Sequence, residues 1–230
     1  MTRMNQVRRR SPVGERRAAT LLMAALALTV FVLVEVWALR DDTDTDTGSG
    51  AAGSAEMVTA AGPVDVSGLR VAPDRHGRDY RRDAFGPGWA LAVGPGCDVR
   101  DAVLARDLTQ TTVTRGCDVT VGTLRDPYSG QTVTGPTRDL DVDHVIPLAL
   151  AHRSGAHAWT DARREEFAND PDNLRATTAQ VNRSKSDHGP EHWMPPVDAC
   201  AYAHDFVRVA ARYQLTVTAQ RAHALQSACR

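Results

Sequence analysis

Between Ala18 and Leu39 the chain runs for 22 residues, AATLLMAALALTVFVLVEVWAL, with one charge, Glu35. As a helix this run spans about 33 Å, the depth of a bilayer core. The arginines before it (Arg3, Arg8, Arg9, Arg10, Arg16, Arg17) and the acidic run after it (Asp41, Asp42, Asp44, Asp46) orient it with its amino end inside. Trp37 suits an interfacial belt, and Glu35 lies close enough to the outer end to reach water. The expected organisation is a basic tail (1–17), a transmembrane anchor (18–39), a flexible linker rich in Asp, Thr, Gly, Ser and Ala (40–65) and one folded domain (66–230). The alternative is a cleaved signal peptide with a small-residue site near Ala51–Ala55 and a secreted body. Both readings export the body. In the first, the domain stays on the outer face of the cytoplasmic membrane and the bilayer is a partner of residues 18–39.

Charge follows the same division. The formal net charge is −1, yet the first 40 residues hold seven Arg against two Glu, and the rest holds 20 basic against 26 acidic residues. A basic nucleic-acid-coating protein is excluded, as are an acidic disordered tail, a collagen and a polytopic membrane protein. Of the 27 basic residues, Lys185 is the sole lysine.

The four cysteines, Cys97, Cys117, Cys200 and Cys229, all lie beyond the apolar run. An even count in an exported domain favours disulfides, and no C-x-x-C spacing points to a zinc ribbon. Their order favours Cys97–Cys117 and Cys200–Cys229, although four cysteines allow three connectivities.

Asp101–Leu108 has helical spacing. Alternating runs at Asp118–Leu124 and Gln131–Thr134 flank the turn signal Asp126-Pro127-Tyr128-Ser129-Gly130. Leu140–Val145 and Leu174–Thr177 read as strands, with helices over Asp161–Phe167 and Thr178–Lys185. Near the carboxyl end Tyr202, Phe206, Val209 and Tyr213 recur at +4, +3 and +4, a core-facing stripe. The fold class expected is α+β with a small antiparallel sheet and surrounding helices.

Chemistry is legible in residues 141–190, which hold DVDHVIPLAL and NDPDNLRATTAQVNRSKSDHGP. Asp143-His144 falls on a strand, Asn173 just before the next strand, and Asn182 on the helix that follows. That order of residues and elements resembles the pattern of HNH nucleases, which implies phosphodiester hydrolysis, a reaction that needs a base to activate water and a cation to offset charge on the phosphate and leaving oxygen. A neutral imidazole suits the first task, so His144 is the candidate base. A hard divalent ion prefers oxygen ligands, which Asp143 and Asn182 supply; Mg²⁺ is the first choice and Mn²⁺ an alternative. Lys185 and Arg183 are the candidate phosphate contacts. Asp143 and His144 are adjacent, so on a regular strand they face opposite ways and reach one phosphate only where the strand bends or ends.

These residues carry a resemblance. From about Asp79 to Leu215 the chain resembles the HNH endonuclease domain at the carboxyl end of GmrSD-type restriction enzymes. The matching pieces are GCDVRDAVLARDL, GTLRDPYSG, VDHVIPLALAHRSGAHAW, FANDPDNL, NRSKSDHGPEHWMPP and ARYQLTVT. The resemblance implies a ββα-metal core and a metal-dependent endonuclease acting on nucleic acid, DNA ahead of RNA. It places Asn173 with His144 in the catalytic set, as the residue that bonds the connecting loop and holds the histidine strand. Nothing here resembles the nucleotide-using domain of the full restriction enzymes, so restriction of modified DNA is not expected. The alternative function is a catalytically silent nucleic-acid-binding or cell-envelope interaction module on the same fold.

Overall fold

A computed structural model of the chain describes residues 62–91 and 96–230. The expected tail and anchor, and most of the linker, lie outside the described residues; among those described, no helix is long and apolar enough to cross a membrane. Val64, placed in the expected linker, is buried in the core together with Val66 and Leu69, because these apolar side chains reach the largest hydrophobic cluster.

Helix α1 (Val99–Asp107) starts two residues before the expected position. Asp98 and Asp101 form a reciprocal capping box there, which satisfies two amide donors at the helix start. A strand that the alternation did not indicate, β2 (Leu108–Thr114), follows directly. Its sequence LTQTTVT buries only Leu108, so no two-residue burial period marks it. It pairs with β3 (Asp118–Arg125), which pairs in turn with β4 (Thr132–Pro136), all antiparallel. The expected turn joins β3 to β4. Asp126 is fully buried; its Oδ1 accepts from Tyr128 N and its Oδ2 from Thr177 Oγ1 and Thr178 N, so one carboxylate ties the turn to the neighbouring sheet.

The second sheet holds β5 (Leu140–His144) antiparallel to β6 (Leu174–Thr178), in a register that sets Asp143 opposite Arg175 and His144 opposite Leu174. Helices α2 (Leu148–Arg153) and α3 (Asp161–Ala168) lie on the connection between the two strands, and α4 (Ala179–Lys185) leaves β6 without a loop. The result is a strand–strand–helix unit with α4 packed on both strands.

Helix α5 (Ala199–Tyr213) buries Tyr202, Phe206, Val209 and Tyr213, the expected stripe. Disulfides join Cys97 to Cys117 and Cys200 to Cys229, the second linking the start of α5 to the second residue past α6 (Ala219–Ser227). Near the amino end of the described part, β1 (Arg70–Val71) runs parallel to β7 (Thr216–Val217). Arg221 of α6 is 1% exposed and donates to both Asp74, at 3.1 and 3.0 Å, and Glu191, at 3.0 and 2.7 Å. A guanidinium so deeply buried needs such paired acceptors, and they fasten residues 70–74 across the carboxyl-terminal helix.

Candidate active site

Strand β5 ends at His144 because Asn173 takes its next two amides. Val145 N donates to the Asn173 carbonyl at 2.7 Å, and Ile146 N donates to Asn173 Oδ1 at 2.8 Å. The amide of Asn173 also reaches the Ile146 carbonyl at 3.4 Å. The strand therefore turns where the two adjacent residues require it, and Asp143 and His144 line one cleft of about 430 Å³ with Asn182 and Arg82. Asn173 itself is fully buried and bonds only backbone. These bonds hold the end of the histidine strand.

The imidazole of His144 is 7% exposed. Its Nε2 lies 2.8 Å from the Ala168 carbonyl, an acceptor only, so Nε2 carries the proton and Nδ1 keeps its lone pair. Among the described residues Nδ1 has no hydrogen-bond partner. Trp89 lies nearly parallel to the ring, 6.0 Å between centroids. Burial pushes the imidazole down to about 4, with Arg82 and Lys185 adding repulsion, while the bond to Ala168 works the other way. At neutral pH the ring is uncharged and able to accept a proton.

Asp143 is 6% exposed and doubly engaged. Lys185 Nζ lies 2.9 Å from its Oδ2, and Tyr128 donates its hydroxyl to the same oxygen at 3.0 Å. Lys185 also donates to the His144 carbonyl at 2.7 Å. Burial raises the carboxyl and lowers the ammonium, and their mutual attraction opposes both shifts. The lysine expected at the phosphate is thus fully buried, and it serves as the counter-ion of Asp143. The reason is local: on α4 the position of Lys185 faces the β5–β6 sheet. Arg183 is exposed on the same helix but does not line the cleft. His188, a further metal candidate by proximity in sequence, is exposed and does not line the cleft either.

Asn182 donates its amide Nδ2 to Asp141 Oδ2 at 2.9 Å, which leaves its Oδ1 as the free acceptor. Asp141 shares a strand face with Asp143, two residues on. The donors at the cleft are therefore a carboxylate and an amide oxygen, with a second carboxylate orienting the amide. Oxygen donors without thiolate fit a hard divalent ion such as Mg²⁺. Lys185 already neutralises Asp143, so the protein alone offers such an ion little net charge.

Four residues at or behind this cleft were not anticipated. Tyr128 sits in the turn, and nothing in its sequence position marks it. Arg82 and Trp89 lie within the resemblance that starts near Asp79 but outside its matching pieces. Asp141 alone had a signal, the two-residue period of DVDH.

The family described as GmrSD restriction endonucleases, C-terminal domain, matches residues 98–228. The chain belongs to this family. A relative named as an uncharacterized secreted protein of Arthroderma benhamiae is 42% identical over 166 residues, covering 70% of this chain and 80% of its own. No solved structure matches significantly. The GmrSD C-terminal match begins at the capping residue of α1, takes in β2 to β6, α4 and Cys200, and stops one residue short of Cys229. It leaves Arg82 and Trp89 outside, although both line hollows that His144 also lines.

Proposed function

We propose that this protein is a metal-dependent HNH endonuclease that hydrolyses nucleic acid outside the cytoplasmic membrane. DNA is the first substrate to test, since the family is named for restriction endonucleases. The observation that carries the reading is the fixed tautomer of His144, Nε2–H bound to the Ala168 carbonyl, in a residue that lines one cleft with Asp143 and Asn182. The two disulfides and a relative named as secreted support a site outside the cell membrane, reached by anchoring or by secretion.

In this mechanism His144 Nδ1 takes a proton from the water that attacks phosphorus. The new O–P bond forms as the bond to the leaving nucleotide oxygen breaks, and that oxygen gains a proton from solvent. The Ala168 carbonyl, accepting from Nε2–H, stabilises the imidazolium that results. Asn173 keeps the strand end bent so that the base reaches the cleft. Asp143 and Asn182 would hold a divalent ion, which would supply positive charge to the reacting phosphate.

One observation favours a second reading, a silent binding module: Asp143 already has a buried counter-ion. Cleavage separates the two. The full chain, purified in detergent, is incubated with plasmid DNA and with RNA in Mg²⁺ or Mn²⁺, beside His144→Ala. Divalent-dependent nicking that His144→Ala abolishes is the expected result. Equal residual activity in the two proteins, or binding without cleavage in every divalent ion, overturns the nuclease reading.

A further inference from the structure

The cleft around His144 is short of positive charge in a particular way. Asp143 is balanced by Lys185, Asp187 by Arg153 at 2.8 Å, and Asp83 by Arg81 at 3.7 Å. Of the two cations expected to meet a phosphate, Lys185 is buried and Arg183 lies off the cleft. Arg82 differs from both. It is exposed, makes no ion pair among the described residues, and lines both hollows that His144 lines.

Its backbone is held firmly. Arg82 opens the 3-10 turn Arg82–Phe85, and Phe85 is 2% exposed in the main core. Arg164 of α3 donates Nε to the Ala84 carbonyl at 3.0 Å. Gly86, at φ +98°, closes the turn where a Cβ would stand 3.0 Å from the Glu165 side chain, so only glycine fits without displacement. An exposed cation on an anchored turn is placed by the fold; its guanidinium interacts with the Tyr80 hydroxyl and has further N–H donors to offer a ligand.

We propose that Arg82 is the phosphate-binding residue of this site, its guanidinium holding the non-bridging oxygens of the phosphate next to His144. The proposal rests on the nuclease reading above. A planar guanidinium donates two parallel hydrogen bonds to a phosphate and carries its charge at every working pH. The functional unit then begins upstream of the family match at residue 98 and includes the segment that delivers Arg82.

The test separates this residue from the reading it depends on. Binding of a fluorescein-labelled DNA duplex to the full-length His144→Ala protein is measured over a series of KCl concentrations. Adding Arg82→Ala should reduce the slope of log K against log salt by about 0.9, one phosphate contact, whereas adding Arg183→Ala should leave it unchanged. In the otherwise native protein Arg82→Ala should lower kcat/KM roughly ten- to hundred-fold. Its melting temperature should equal that of the native protein, since the side chain is exposed. If native protein cleaves DNA while Arg82→Ala alters neither slope nor rate, the Arg82 proposal is overturned and the nuclease reading stands. Loss of slope in Arg183→Ala instead also overturns it. If native protein neither binds nor cleaves, the nuclease reading falls and takes this proposal with it.

Discussion

Lys185 Nζ stands 2.9 Å from Asp143 Oδ2, with the lysine 0% exposed and the aspartate 6%. Each charge is tolerated in the interior because of the other. Removing one partner strands the second, which costs far more than the pair itself contributes. Lys185→Met is therefore expected to lose roughly 3–5 kcal/mol in urea denaturation. The double variant Asp143→Asn/Lys185→Met should regain much of that. A single variant as stable as the native protein would show that no buried charge depends on this ammonium.

Asn173 is expected to separate positioning from chemistry. Its Oδ1 is the acceptor for a buried Ile146 amide, so Asn173→Ala should cost about 1–3 kcal/mol. On the nuclease reading, kcat should fall about hundred-fold with KM little changed, because a base displaced by about 1 Å is poorly aligned. Full kcat in a folded Asn173→Ala protein would remove Asn173 from the account.

His152 should make the fold sensitive to acid. It is 7% exposed, and among the described residues neither ring nitrogen has a hydrogen-bond partner. Burial lowers its pKa, with His157, Arg164 and His76 adding repulsion and Asp79 opposing them. The ring packs against Tyr80, Phe85 and His157. A histidine whose folded pKa lies below the unfolded value, near 6.5, gives full stability above that pH, and the stability declines as pH falls toward the folded value. Urea midpoints should drop between pH 7 and pH 5, and His152→Phe should flatten that slope. An unchanged slope in the variant would assign the acid sensitivity to other groups.

The Cys200–Cys229 link closes 29 residues of sequence over α5 and α6. On the chain-entropy account such a loop contributes about 3–4 kcal/mol, so the Cys200→Ser/Cys229→Ser protein should denature at a correspondingly lower urea concentration. Coincident curves for the two proteins would show that the helices hold the ends together without it.

The strand–strand–helix unit could be read from sequence because its residues act locally. DVDH alternates across a strand, Asn173 precedes the next strand, and the helix begins at once. The stripe Tyr202, Phe206, Val209 and Tyr213 was legible for the same reason, since one helix face carries it. Strand β2 was not, because Thr-rich residues that face solvent on both sides leave no burial period. The burial of Lys185 was hidden as well. A lone lysine reads as a surface group until a tertiary partner is known, and Asp143 is 42 residues away in sequence. Arg82 was out of reach because only the folded chain brings residue 82 beside residue 144.

The bonds from Arg221 to Asp74 bear on timing. Strand β5, Asn173 and helix α4 are all synthesised before α6, but the segment around Arg70–Asp74 has no partner in α6 or β7 until those residues have emerged. The turn bearing Arg82 follows that segment closely. On the proposed reading the chain leaves the cell amino end first in the membrane and carboxyl end last. The bonds that fasten Asp74 to α6 are then among the last in the domain to form, once Arg221 has reached the outer side.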